Sequence, residues 1–285
     1  MSRRGRDDEP LWLSFYAIDD YLTCPRKYRY GHVLRVPISP HHSMIYGSAL
    51  HAAVAEFHKR HNRGDVMTEE QLYASFEAAW KNDGFLSREH EEARLEAGRS
   101  ALRRFRDEQL RPDARIPAWV EREFSFFLDG DKVRGRFDRV DITPRDPNEP
   151  IPVMADDEDP ASGADVVEPT LNLSPEKVVI TDYKSSDVRD PAKARQRAKD
   201  SLQLTIYAMG YEAMTGRLPD AVALHFLDSG LVGTAPVDRK RVEKARETIR
   251  TAARGIRARD FEPKPDYLSC TFCAFREICP SSVAR

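Results

Sequence analysis

The stretch Val178–Lys184, VVITDYK, is a run of branched apolar residues that ends in charge. Such a run reads as a strand buried on both faces, and a strand of that kind needs a sheet around it. Side chains two apart on a strand share a face, so Asp182 and Lys184 project together with Tyr183 opposite. A carboxylate beside an ammonium on a rigid strand suits hydrolysis of a phosphodiester. The carboxylate can hold a divalent cation, and the lysine can orient water or neutralise developing charge.

The flanking segments supply the rest of a sheet. Trp119–Leu128 and Val133–Ile142 surround an Asp129-Gly130 turn signal and predict a β-hairpin. On its second strand, GRFDRVD, Asp138 and Asp141 fall on opposite faces, so at most one can join Asp182. Gly135 lets the backbone pack closely beside Asp138. Glu123 on the first strand is a further candidate for the same ion. Ala221–Leu227 reads as another strand, followed by a turn at 228–230.

Helices are predicted from Ser14 to Tyr21, ended by Cys24-Pro25, and over Gly47–His61. Thr68 with Gln71 forms a capping box for a helix to Trp80, and Ser87 caps another to Leu110. Asp190-Pro191 opens a long helix to Met214, and Val242–Arg259 forms the last. The order predicts an α/β fold: a mixed central sheet flanked by helices, with an added helical region over 60–115.

Charge is unevenly spread. Residues 144–175 hold eight acidic residues, one arginine and seven prolines, and read as an irregular insertion. The net charge is only −2, so the remaining body is mildly basic and compatible with nucleic acid. Arg189, Lys193, Arg195, Arg197 and Lys199 lie just after the charged strand. Arg26, Lys27, Tyr28, Arg29 and Tyr30 interleave base-stacking rings with phosphate-holding cations, a mixture suited to a single strand. Residues 1–10 read as a loose terminus. No run of 18 apolar residues occurs and no signal-type hydrophobic core follows the start, so a cytoplasmic protein with reduced cysteines is expected. The sequence has no Walker A motif.

The cysteines then read as metal ligands. Cys270, Cys273 and Cys279 lie in the C-terminal segment 266–282, and Cys24 is the only other cysteine. Four thiolates suit either structural zinc or an iron–sulfur cluster.

These motifs together resemble the RecB-type nuclease branch of the PD-(D/E)xK superfamily. In that branch a histidine helix, a G-x-x-D strand, a D-x-K strand and a Q-x-x-x-Y helix follow in this order. Here they read GSALH with His51, GRFD with Asp138, DYK with Asp182 and Lys184, and QLTIY with Gln203 and Tyr207. The resemblance spans roughly residues 11–282, the acidic insertion between Asp138 and Asp182 being its departure. It implies a restriction-endonuclease-like core and one domain over 11–285. It implies that His51, Asp138, Asp182 and the Tyr183 carbonyl ligate Mg²⁺ or Mn²⁺, and that Lys184 orients the attacking water. Gln203 and Tyr207, four apart on one helix face, then touch the substrate or brace the site. The cysteine spacing resembles that of AddB-type and CRISPR-adaptation nucleases and implies a [4Fe–4S] cluster that staples the two ends of the chain. The expected function is a cation-dependent DNA nuclease, an exonuclease on single-stranded ends in repair, recombination or CRISPR adaptation. A helicase or CRISPR-adaptation protein is the expected partner. The alternative is an idle DNA-binding subunit of a helicase–nuclease complex.

Overall fold

Asp129 and Gly130 both take left-handed backbone angles, with φ of 51° and 90°, the pattern of a two-residue type I′ turn. That turn sets the register of β2 (Trp119–Leu128) on β3 (Asp131–Pro144), from Leu128 opposite Asp131 to Trp119 opposite Val140. The computed structural model describes residues 9–146 and 174–284. Apart from their margins, the expected loose N-terminus and the acidic insertion lie outside these residues.

β2 occupies one edge of β3. The other edge meets two strands at its two ends. β1 (Trp12–Leu13) runs parallel to it at Lys132 and Val133. β4 (Glu176–Lys184) runs antiparallel to it from Arg139 to Pro144. Residues 134–138 of β3 are left between those two contacts. β4 carries on past this gap along β5 (Ala221–Phe226), with which it is parallel, and β6 (Leu231–Pro236) closes the far edge antiparallel. The described residues thus form a six-stranded mixed sheet flanked by helices, as expected.

The helices are α1 (Phe15–Thr23), α2 (Pro25–Tyr28), α3 (His42–His61), α4 (Glu69–Ala78), α5 (Arg88–Gln109), α6 (Pro191–Asp200), α7 (Leu202–Thr215), α8 (Arg239–Arg257) and α9 (Tyr267–Thr271). They pack in two groups. Residues of α1, α6, α7 and α8 share one apolar core with the sheet. Residues of α3, α4 and α5 build a second core, with Tyr183 of β4 and Leu227 as its contacts from the sheet. Membership of opposite groups by neighbouring residues of β4 follows from strand alternation.

Several ends are made as the sequence reads. Ser14 Oγ accepts from the Ala17 N–H, and both halves of the Thr68–Gln71 capping box are formed. Other features differ. The helix expected from Gly47 begins at His42, with His41 as its cap. The helix expected from 191 to 214 is two helices. Ser201 leaves helical geometry (φ −69°, ψ 110°), and its hydroxyl accepts from the Leu204 N–H. A serine that caps a new turn competes with continuation of the old one. β1 and β6 are further strands, and a π-helical turn, Arg29–Val33, follows α2. Among the described residues no helix is long and apolar enough to cross a membrane.

α7 comes down on the hairpin through Phe124, whose ring lies over Gly135 of β3 and Gly210 of α7. It stacks on Phe137 at 4.5 Å and meets Tyr207 edge-on at 5.7 Å. A Cβ on Gly210 would stand 2.2 Å from a Phe124 ring carbon. Gly210→Ala is therefore expected to destabilise the protein by about 1–3 kcal/mol through overpacking, although alanine is the better helix former. Thermal melting checks this; an unchanged or higher Tm would mean that the ring can move aside.

Candidate active site

The β3–β4 ladder ends at the pair Arg139–Thr181. Asp138 and Asp182 come next on the two strands. There, the Asp138 carboxylate accepts from the backbone N–H of Tyr183 at 2.9 Å. Asp182 is 1% exposed and Asp138 9%. Their charges act on each other, so two carboxylates occupy one poorly solvated place. Burial, then the neighbouring Asp182 charge, pushes the Asp138 pKa well above the usual carboxylate range.

α3 brings the histidine from the other helical group. His51 Nδ1 lies 3.4 Å from Asp138 Oδ2. Burial lowers its pKa despite the nearby Asp182 charge, and the backbone of Tyr183 hydrogen-bonds it. The ring is neutral at neutral pH, the form that can bind a cation. Its contact with Asp138 is therefore no full ion pair.

Lys184 is held twice. Its Nζ lies 2.7 Å from Asp182 Oδ2 and donates to Gln203 Oε1 at 2.8 Å. Burial works against the ammonium, but the Asp182 carboxylate outweighs it, and the pKa is raised. Gln203 in turn donates through Nε2 to the Tyr207 hydroxyl at 2.9 Å, on the next turn of α7. Burial, with Asp182 next, raises the Tyr207 pKa well above its ordinary value, so it stays a phenol. The chain Asp182–Lys184–Gln203–Tyr207 fixes where the ammonium can point.

Tyr183 turns the other way, into the second core. Burial pushes its pKa up to about 12. Its hydroxyl bonds His58 Nε2 at 2.7 Å. Arg139, whose guanidinium forks onto Asp141 at 2.8 Å through both Nε and Nη2, approaches the same hydroxyl. Asp141 is thus on the Arg139 side, away from the acidic pair.

His51, Asp138, Asp182, Lys184, Gln203 and Tyr207 are brought together. Glu123 is not: it is exposed on β2. Its neighbour Glu121 stands opposite Asp138 instead, and His51, Glu121 and Asp138 offer donor atoms all within 4.8 Å of one another. Counting back from the turn, with 128 opposite 131, would have found Glu121 in the sequence. Tyr16 of α1 is the other omission. The residue is 65% exposed as a whole, while its hydroxyl end is partly buried and lies within the fields of Lys184, Asp182 and Asp138.

Cys24 and the C-terminal Cys270, Cys273 and Cys279 line one cavity and form no disulfide. Among the described residues, however, only the trio His51, Glu121 and Asp138, and not the expected thiolates, gathers donor atoms within 4.8 Å of one another. Burial, followed by neighbours that include Cys24 and Cys279, raises the Cys273 thiol. Beside them Tyr28 meets Tyr21 and Phe261, Tyr30 meets Phe275, and Lys27 pairs with Asp20 at 2.8 Å. This cluster, expected to be open for base stacking, is largely spent on packing the two ends of the chain together. Lys193, Arg195, Arg197 and Lys199 remain exposed on α6.

A sequence model described as the PD-(D/E)XK nuclease superfamily matches residues 12–151 and 164–280. No curated protein matches the chain significantly. Two of the similar solved structures are these. One, SSO0001, is 14% identical, with 97% of this chain and 89% of that chain covered and a TM-score of 0.41. The other, named "Putative exonuclease" from Eubacterium rectale, is 11% identical, with 100% and 92% covered and a TM-score of 0.45. At these scores neither likeness bears on activity.

Without a cation, the two buried carboxylates repel. Asp138→Asn keeps an acceptor for the Tyr183 N–H and removes one charge. In EDTA it is expected to melt about 2–4 °C above the wild type, the shift for roughly 1 kcal/mol in a chain of this size. Differential scanning calorimetry checks this; a lower Tm would show that the repulsion is already relieved.

Proposed function

Because the chain belongs to the PD-(D/E)XK nuclease superfamily, we propose that it is a divalent-cation-dependent deoxyribonuclease acting on single-stranded DNA ends. One observation carries this reading: His51, Asp138, Asp182 and Lys184 meet where β3 and β4 separate. His51, Asp138, Asp182 and the Tyr183 carbonyl would hold the cation. Their mix of oxygen and imidazole donors suits Mg²⁺ or Mn²⁺, and the raised Asp138 pKa marks a place that favours added positive charge. The bound cation supplies Lewis-acid activation of water and of the scissile phosphate.

The chain's own groups do the rest. The Lys184 ammonium, fixed by Asp182 and Gln203, orients the attacking water and offsets charge that builds on the phosphoryl oxygens. Tyr207 keeps Gln203 in place. The exposed basic residues of α6 follow the substrate backbone. The ring of Tyr16, a largely exposed residue, offers an unpaired base a surface to stack on, which favours single strands over duplex. Repair, recombination and CRISPR adaptation are the settings that consume such an activity.

End-labelled oligonucleotides of both polarities, digested with Mn²⁺, test the reading. Wild type should release short products, and Asp182→Asn should be slower by about 10³-fold or more. No cleavage by the wild type, or equal rates, would refute it.

We propose, as a second assignment, a structural [4Fe–4S] cluster on Cys24, Cys270, Cys273 and Cys279, which would have to draw together four thiols that line one cavity. It would tie α1, and with it Tyr16, to the C-terminal segment. Cys24→Ser purified without oxygen should lose the visible absorbance of the cluster and lower the Tm. A folded variant with full absorbance would exclude Cys24 as a ligand.

A further inference from the structure

Four non-glycine residues among those described have left-handed backbone angles. Arg35, Asp129 and Arg259 lie in turns or connections. Glu121, with φ of 52°, lies inside β2. A side chain in that conformation within a strand is strained, and strain of this kind is retained where something else requires it. Nothing in the hairpin requires it: the register is unbroken on both sides, Val120 opposite Arg139 and Arg122 opposite Phe137.

The distortion falls at one level of the sheet, opposite Asp138. There the Glu121 carboxylate is 13% exposed and has an oxygen within 4.8 Å of donor atoms on both His51 and Asp138. It adds a third carboxylate to a place that already holds two. Its counter-charge is Arg136, at 2.7 Å, whose side chain is 59% exposed and free to swing into water. The guanidinium gives Glu121 the positive charge that a small cation would also give, from a side chain that is mostly in water.

We propose that Glu121 is a further ligand of the cation, and that Arg136 is a displaceable counter-ion that holds the carboxylate until the cation enters. This rests on the cation-dependent reading above. Cation entry then breaks one ion pair, and Arg136 is released towards solvent on the substrate side, where it is available to a phosphate.

Mn²⁺ binding to the full-length protein, measured by calorimetry and by electron paramagnetic resonance of free Mn²⁺, tests this without any turnover. Glu121→Gln should weaken Mn²⁺ binding by about tenfold or more. Arg136→Ala should tighten it, and unchanged affinity would overturn the counter-ion role. Glu121→Gly, which relieves the strained φ, should melt no lower than the wild type in EDTA and still lose Mn²⁺ affinity. If Glu121 only pairs across the hairpin, Glu121→Gln and Arg136→Ala will lower the Tm alike and leave Mn²⁺ binding unchanged, which overturns the proposal. Unchanged affinity in Glu121→Gln, with tight binding by the wild type, also overturns it and leaves the cation site standing. No Mn²⁺ binding by a folded wild type overturns both.

Discussion

The structure depends on the separation of β3 from β4. A continuous ladder would pair Asp138 with Asp182 and leave no room between the strands. Instead the last pair is Arg139–Thr181, and the Asp138 carboxylate takes the Tyr183 N–H that the ladder forgoes. β4 does not fray, because β5 continues to hold it through Lys184. The opening is therefore rigid, and both helical groups reach it: α3 with His51, α7 with Gln203 and Tyr207.

Rigidity here has an electrostatic cost. Burial, then the neighbouring Asp182 charge, raises the Asp138 pKa well above the usual carboxylate range. Lys184 pairs with Asp182 and Arg136 with Glu121, while Asp138 is met by a backbone N–H, the His51 ring and the more distant charge of Lys184. On the reading proposed above, the cation supplies the positive charge that this cluster of acids can accept.

Much of this was legible in the sequence, for identifiable reasons. The hairpin could be read because Asp-Gly fits a type I′ turn, which fixes the register. The buried strand could be read because branched apolar residues have few other uses. The split at Ser201 was hidden, since apolar periodicity runs through 202–214 and only the serine side chain breaks it. β6 was hidden because Leu231–Pro236 contains glycine and proline, poor strand formers that an edge position tolerates. Tyr28 and Tyr30 were misread because composition cannot tell a stacking ring from one that packs against Phe261 or Phe275. Glu121 could be reached by counting the register back from the turn, but its backbone angle is one that no propensity foretells for glutamate.

The two ends of the acidic insertion meet at a closed neck. The Arg145 N–H donates to the Pro175 carbonyl at 2.8 Å, Arg145 Nε donates to the Ser174 carbonyl at 3.1 Å, and the same guanidinium pairs with Asp220. Six residues of strand separate this neck from the carboxylates, about 20 Å at strand rise. Whatever length of chain leaves and re-enters there closes a loop whose entropy grows only slowly with size. The neck is thus a natural port: the chain leaves and re-enters the scaffold at the end of β3 and β4 remote from Asp138 and Asp182.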